Sequence, residues 1–278
     1  MSVTNFPVVL LVGKAGSGKD TVGQILAKHF NGQCIALADE MKRVLHHEMR
    51  VAQEVLWGPS ELRNTPMGRC SGIRDPGVDK FGRRSTQDVL YRDAALERLR
   101  YAHDHLDLLA AGAFTEWFDE EVVTDNTVRH VLQTMGTEWG RKYDPNIWID
   151  IALQNAEEVL AGKSYTARDG VQPPNGTFKD TVIITDGRFR NEVLAVRKMG
   201  GAVVKLINPD ETSAATHASE VEQDSIPDHW FDLTFYNNKK NGLALLEQDI
   251  SYYGRALLFR RPPLNLVGWT GYLGQRTP

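Results

Sequence analysis

Gly13-Lys14-Ala15-Gly16-Ser17-Gly18-Lys19-Asp20-Thr21 separates two segments of different periodicity. Before it runs Val8-Val9-Leu10-Leu11-Val12, an apolar stretch with the pattern of a buried strand. After it Val22, Ile25, Leu26 and Phe30 recur on one face of a helix. Strand, glycine loop and helix in that order form the context a phosphate-binding loop requires. The glycines let backbone N–H groups turn inward around a polyphosphate, and the helix N-terminus adds a partial positive charge. Lys19 is placed to reach the β- and γ-phosphates. The residue after it is Asp20 rather than the usual Ser or Thr, with Thr21 behind. A carboxylate there can hold Mg²⁺ directly or through water, because the ion favours hard oxygen ligands. It equally suits the first turn of a helix, where the macrodipole favours an acid. Both can hold at once. The bland alternative, a glycine-rich turn with an exposed lysine, is disfavoured by the strand-to-helix placement.

The chain has 278 residues, enough for one large or two modest domains with a substantial core. Its hydrophobic share of 41% and charged share of 24% are ordinary for a globular protein. A net charge of −4 argues against broad nucleic-acid binding, so no stable nucleic-acid partner is expected, although a local basic pocket stays open. Cys34 and Cys70 give neither a disulfide framework nor metal-ligand spacing, and Cys34 sits in an apolar run that reads as core. No apolar run approaches membrane-spanning length, and a strand comes early where a signal sequence would stand. The expectation is a cytoplasmic protein without a membrane partner.

Further strands are expected at Cys34–Ala38, Thr181–Thr185, Ala202–Ile207 and Asp232–Tyr236. Helices are expected from Asp39 toward Trp57, over Thr86–Ala113, from the Asn126-Thr127 cap onward, over Asn191–Met199 and over Leu243–Tyr253. Strands separated by helical patterns imply a parallel sheet covered on both faces. Gly58–Arg84, rich in Gly, Pro, Arg and Ser, reads as a loop region, and 162–179 as a loop insertion. Arg260–Pro278 reads as an extended tail, and no internal repeat is present.

Three constellations join the glycine loop. In the helix Thr127–Arg141, at about 100° per residue, Val128, Val131, Leu132, Met135 and Trp139 form an apolar stripe. Arg129, Gln133, Gly136 and Gly140 fall on a separate face, with Thr137 and Arg141 at its edge. Each glycine within a helix costs roughly 1 kcal/mol against alanine, so something should approach that face closely. A substrate floor is one reading: arginines for a phosphate, Gln133 for a base edge, glycines to admit the ligand. Close helix packing with solvated arginines is the other. The second constellation is Asp186-Gly187-Arg188-Phe189-Arg190-Asn191-Glu192. Asp186 at the end of a strand is placed to hold Mg²⁺ or its waters. Arg188 and Arg190 can neutralise a transferring phosphoryl group; otherwise Asp186 caps a helix and the arginines are solvated. The third is Thr216-His217-Ala218-Ser219-Glu220, in a polar stretch that would serve as part of a lid or as a simple capping box of Ser219 with Glu222.

Together these residues resemble the bacteriophage deoxynucleoside monophosphate kinase family. The matching strings are Gly13–Thr21 with its G-K-D-T ending, Ala38–Lys42, Leu132–Arg141, Asp186–Glu192, His217–Glu220 and Phe235-Tyr236-Asn237-Asn238, in order across nearly the whole chain. The L-Q-x-x-G-T-E-W-G-R string is the most specific of them. The resemblance implies an α/β fold of the P-loop nucleoside-monophosphate-kinase type, with a central, mostly parallel sheet and helices on both faces. It implies a single kinase domain over 1–278, with a helical acceptor-binding region over about 40–150, a candidate lid over about 208–228 and the tail 260–278. It further implies transfer of the γ-phosphoryl of ATP, with Mg²⁺, to a dNMP acceptor. On that analogy Gly13–Thr21 hold ATP, Lys19, Asp186, Arg188 and Arg190 carry the transfer, and Asp20 with Asp186 serve the metal. Asp39, Lys42, Arg129, Gln133, Gly136, Thr137 and Arg141 face the acceptor. A homodimer is left open. The rival readings are another small-molecule kinase with the same loop, of the phosphomevalonate or dephospho-coenzyme A type, a nucleotide-dependent ATPase, or a non-enzymatic nucleotide-binding scaffold.

Overall fold

A computed structural model describes residues 7–72, 86–103, 108–123, 126–167, 178–209, 222–238 and 242–258. The expected tail 260–278, most of the segment around 208–228 with His217, Ser219 and Glu220, and much of the 162–179 insertion lie outside the described residues. The chain divides into two compact units, one of Met1–Leu37, Ala152–Tyr165 and Pro173–Pro278, the other of Ala38–Ile151 and Thr166–Gln172.

The first unit is built on a five-stranded sheet of β1 (Val8–Val12), β2 (Gly32–Ile35), β3 (Thr181–Gly187), β4 (Ala202–Ile207) and β5 (Leu233–Tyr236). The strand order is β2-β3-β1-β4-β5, and every pairing is parallel. Strands buried on both faces need apolar side chains at successive positions, which is why β1 and the middle of β3 read as continuous apolar runs. Val9, Leu11, Ile183, Val204, Leu206, Leu233 and Phe235 meet Val22 and Leu26 of α1 (Lys19–His29), and Leu246 and Ile250 of the C-terminal helix Leu243–Leu258, in one core. The helix Arg190–Lys198 packs on β1 and β4. The chain leaves β1 toward β2 at one edge and leaves β3 toward β4 on the other side. Such a reversal opens a crevice beyond the carboxyl ends of β1 and β3, the ligand position of open parallel sheets.

The second unit is helical. Its elements are α2 (Asp39–Arg43), α3 (Gln53–Trp57), α4 (Met67–Cys70), α5 (Thr86–Ala102), α6 (Leu108–Trp117) and α7 (Val128–Thr134). The expected helix from Asp39 to Trp57 is broken: α2 widens into a π-turn over Val44–Glu48, and Arg50 takes a positive φ of 59° before α3 begins. The expected helix over Thr86–Ala113 is likewise two helices, α5 and α6. A helix α8 (Ile147–Leu160) comes next, with the boundary between the units falling inside it. We number the helices Arg190–Lys198 and Leu243–Leu258 α9 and α10.

An aromatic core fills the second unit: Trp139 stacks edge-on against Phe114 with ring centres 4.9 Å apart. Buried indole N–H groups need acceptors. Trp139 donates to Ala110 O at 3.0 Å, Trp117 to Thr134 Oγ1 at 2.9 Å and Trp148 to Gly136 O at 3.0 Å. Glu40, buried, is bracketed by Arg43 and Arg98, each at 3.1 Å, and Arg98 also reaches Glu48 at 3.2 Å. Opposite charges satisfied within such a network leave little free positive charge for a ligand.

Candidate phosphate-loop site and acceptor segment

The loop Gly13–Gly18 leaves the end of β1 and runs into the N-terminus of α1. Gly16 and Gly18 adopt φ values of 78° and 90°, a left-handed conformation that only glycine enters without strain. Ser17 N–H donates back to Lys14 O at 3.2 Å, closing the turn. Lys19 donates to Lys14 O at 2.8 Å and also to Gly13 O, so its ammonium lies across the loop. Gly16, Gly18, Lys19, Asp20, Thr21, Asn237, Gly242 and Leu243 line a cleft of about 520 Å³. Asp20 is exposed in the first turn of α1, with Thr21 half-buried beside it. Ala15 is exposed, and Lys14 pairs with Asp224 at 3.0 Å. The amides of a helix N-terminus, with a lysine beside them and no cap side chain bonded to them, suit an anion.

Asp186 stands near the end of β3, where Gly187 pairs with Val12 at the start of the loop. Its Oδ1 accepts the Leu37 N–H at 2.6 Å, which ties the segment after β2 to the strand beside the loop. Just beyond, buried Glu192 accepts both the Arg188 and Phe189 N–H groups, at 2.7 and 2.9 Å, and so caps α9 from inside its first turn. Arg188 and Arg190 are exposed. The Arg190 guanidinium lies over the Trp230 ring at 5.1 Å, and the Arg190 backbone N–H donates to Glu222 Oε1 at 3.3 Å.

The acceptor candidates belong to the second unit. Asp39 is buried and accepts the Trp57 indole N–H at 3.3 Å, while Lys42 lies 5.8 Å from the centre of the same ring. Thr127 caps α7 by accepting the His130 N–H at 3.2 Å, as its sequence suggests. Arg129 grips the segment Ser60–Asn64, donating to Ser60 O at 2.8 Å, Ser60 Oγ at 2.9 Å and Asn64 Oδ1 at 2.9 Å. Gln133 is exposed, and Thr137 Oγ1 donates to Gln133 O at 2.8 Å. Arg141 donates to Pro145 O at 3.0 Å.

The single helical face expected for this segment is not kept. From Met135 to Arg141 the backbone winds as a π-helix. Its wider turns shift the angular phase of the residues beyond Thr134. Gly136 and Gly140 are therefore buried, while Arg129 and Gln133 stay toward solvent. What approaches the glycines is protein: a Cβ on Gly140 would lie 2.6 Å from the Trp148 ring, and one on Gly136 3.4 Å from Met41 Sδ.

Among the described residues, His103, Asp144 and Asp150 each bring a ligand atom within 4.8 Å of the others. Asp144 accepts the Asn146 N–H at 2.9 Å and Asp150 lies in the first turn of α8, so local turn and helix-end roles account for both acids. No described helix is long and apolar enough to cross a membrane.

An all-parallel sheet whose central strand feeds a glycine loop into a helix N-terminus defines an α/β protein of the P-loop kinase-like fold. No protein-family model matches the chain. A mimiviral protein of Acanthamoeba polyphaga mimivirus, named "Putative deoxynucleotide monophosphate kinase", is 24% identical to it over 229 residues, covering 82% of this chain and 87% of that protein.

Proposed function

We propose that this chain is a deoxynucleoside monophosphate kinase, transferring the γ-phosphoryl group of ATP to a dNMP to give dNDP and ADP. The observation that carries the reading is the phosphate loop at the sheet's switch point, with Lys19 lying across it in the cleft. Similarity to the mimiviral protein supports the choice of acceptor class.

In the transfer, an oxygen of the dNMP phosphate bonds to the γ-phosphorus while the bond from that phosphorus to the ADP oxygen breaks. Electrons are neither gained nor lost. The transition state is loose, so positioning and charge neutralisation supply most of the acceleration. The loop amides and Lys19 hold the donor's phosphates. Asp20 and Thr21 line the same cleft and Asp186 stands on the strand beside β1; their hard oxygens are of the kind Mg²⁺ takes, and on this reading they would hold it. Magnesium bound with ATP would neutralise charge on the phosphoryl oxygens. Arg188 and Arg190 add positive charge after β3, and Glu192 fixes the backbone that carries them. Asp39, Lys42, Arg129, Gln133, Thr137 and Arg141 are the acceptor residues on this reading, while buried Gly136 faces Met41.

The deciding experiment is a coupled ADP-release assay with ATP and Mg²⁺ across a panel of dNMPs, NMPs and unrelated small acceptors. ADP release with at least one dNMP, and little without an acceptor, is the expected result. Release that is indifferent to dNMP, or that tracks a different acceptor, would reject the assignment.

A further inference from the structure

Asn237 comes directly after β5 at the far edge of the sheet from β2, and its backbone N–H extends the ladder by donating to Ile207 O at 2.8 Å. Its side chain is buried against the phosphate loop, where Nδ2 donates to Ser17 O at 3.0 Å. A trans peptide holds its C=O and N–H on opposite sides of one plane. Binding the Ser17 carbonyl from the β5 side therefore orients the Gly18 N–H in the opposite direction, away from Asn237. Gly18 sits at φ 90°, and a Cβ built there would collide with Asn237 Nδ2. The close approach of amide and loop thus adds a second requirement for glycine at this position. The Ser17 hydroxyl does not share the task, because Oγ is buried with no hydrogen-bond partner among the described residues. Asn237 also lines the cleft together with Lys19, Asp20 and Thr21.

We infer that Asn237 is a positioning residue for the donor phosphates: it fixes the Ser17–Gly18 peptide so that the loop amides are arranged for a polyphosphate before one binds. The inference rests on the donor half of the proposed function and not on the identity of the acceptor. Removing a buried hydrogen bond of this kind costs on the order of tenfold in an affinity that depends on it.

The test compares Asn237→Ala with Asn237→Leu, which keeps the branched heavy-atom shape without the donor. Binding of inorganic tripolyphosphate and of ATP is measured by calorimetry, with steady-state kinetics beside it. Both variants should lose about tenfold in tripolyphosphate and ATP affinity, with the dNMP KM unchanged and kcat at saturating ATP within about twofold. Thermal melting identifies a variant that has simply unfolded, and the Leu variant then decides. Unchanged tripolyphosphate affinity in a folded variant overturns the inference, including the case where only ATP binding weakens, which would make Asn237 a nucleoside contact. Should the wild-type protein bind tripolyphosphate but phosphorylate no dNMP, the kinase assignment fails while the comparison of variants still decides the role of Asn237. Should it bind neither tripolyphosphate nor ATP, the donor site and this inference fall together.

Discussion

Lys19 and Lys14 occupy the same loop yet have different electrostatic surroundings. Lys14 is paired with Asp224 at 3.0 Å, so little of its charge remains for a ligand. Lys19 rests on the carbonyls of Gly13 and Lys14, weak partners that a phosphate would outcompete. The charge offered to a donor triphosphate is therefore concentrated on Lys19 and the loop amides. Truncating a group that meets developing charge typically costs about 10²–10³ in rate. Lys19→Ala is expected to lower kcat/KM for ATP at least that far. A half-exposed lysine contributes little to stability, so the melting temperature should stay within about 2 °C. Turnover near the wild-type value in the coupled assay would sink the role given to Lys19. Asp20 belongs to the same local logic, because an acid exposed in the first turn of α1 suits the macrodipole and also lines the cleft.

The segment 127–141 demonstrates how far a sequence period can be carried. Its cap, its start and its apolar stripe are legible, and Val128, Val131, Met135 and Trp139 are all buried. The π-turns after Thr134 are not legible, because they depend on tertiary partners and not on the segment's own pattern. Trp148 is the partner that matters here: it donates to Gly136 O and fills the space a Gly140 side chain would need. Gly140→Ala should therefore overpack the site and cost about 1–3 kcal/mol. In Gly136→Ala the nearest atom is the flexible Met41 thioether at 3.4 Å, and helix propensity works in favour of alanine, so stability should change by under about 1 kcal/mol. Urea denaturation of the two variants checks the difference. If the glycines instead admit a ligand, both variants would raise the dNMP KM and leave the denaturation midpoint in place. A related obscurity affects α8, whose near-continuous apolar run from Ile147 to Leu153, broken only by Asp150, blurs the helical period.

At the scale of the whole chain, the strands were legible because a parallel sheet buried on both faces demands short apolar runs, and four of the five both begin and end within two residues of where the sequence places them. The exception is the second strand, which starts at Gly32 and ends at Ile35 rather than extending to Ala38. Long-range contacts were not legible: the Asn237–Ser17 bond joins residues 220 apart, and no local pattern announces it. The donor candidates lie in one compact unit and the acceptor candidates in the other. That division gives the two ligands distinguishable signatures. A ligand that binds only the native state raises the opening free energy by RT ln(1 + [L]/Kd), about 2.7 kcal/mol at one hundred times Kd. Hydrogen exchange measured by mass spectrometry, with a non-hydrolysable ATP analogue and dNMP added separately, reads this out by segment. The analogue should slow exchange in 13–23 and through β1, β3 and β4, whereas dNMP should slow it first in 38–43 and 127–141. Protection by dNMP confined to 13–23 would move the acceptor to the phosphate loop and overturn the assignment of Arg129, Gln133 and Arg141. Protection by either ligand across all core segments of both units would mean that the units open as one cooperative block.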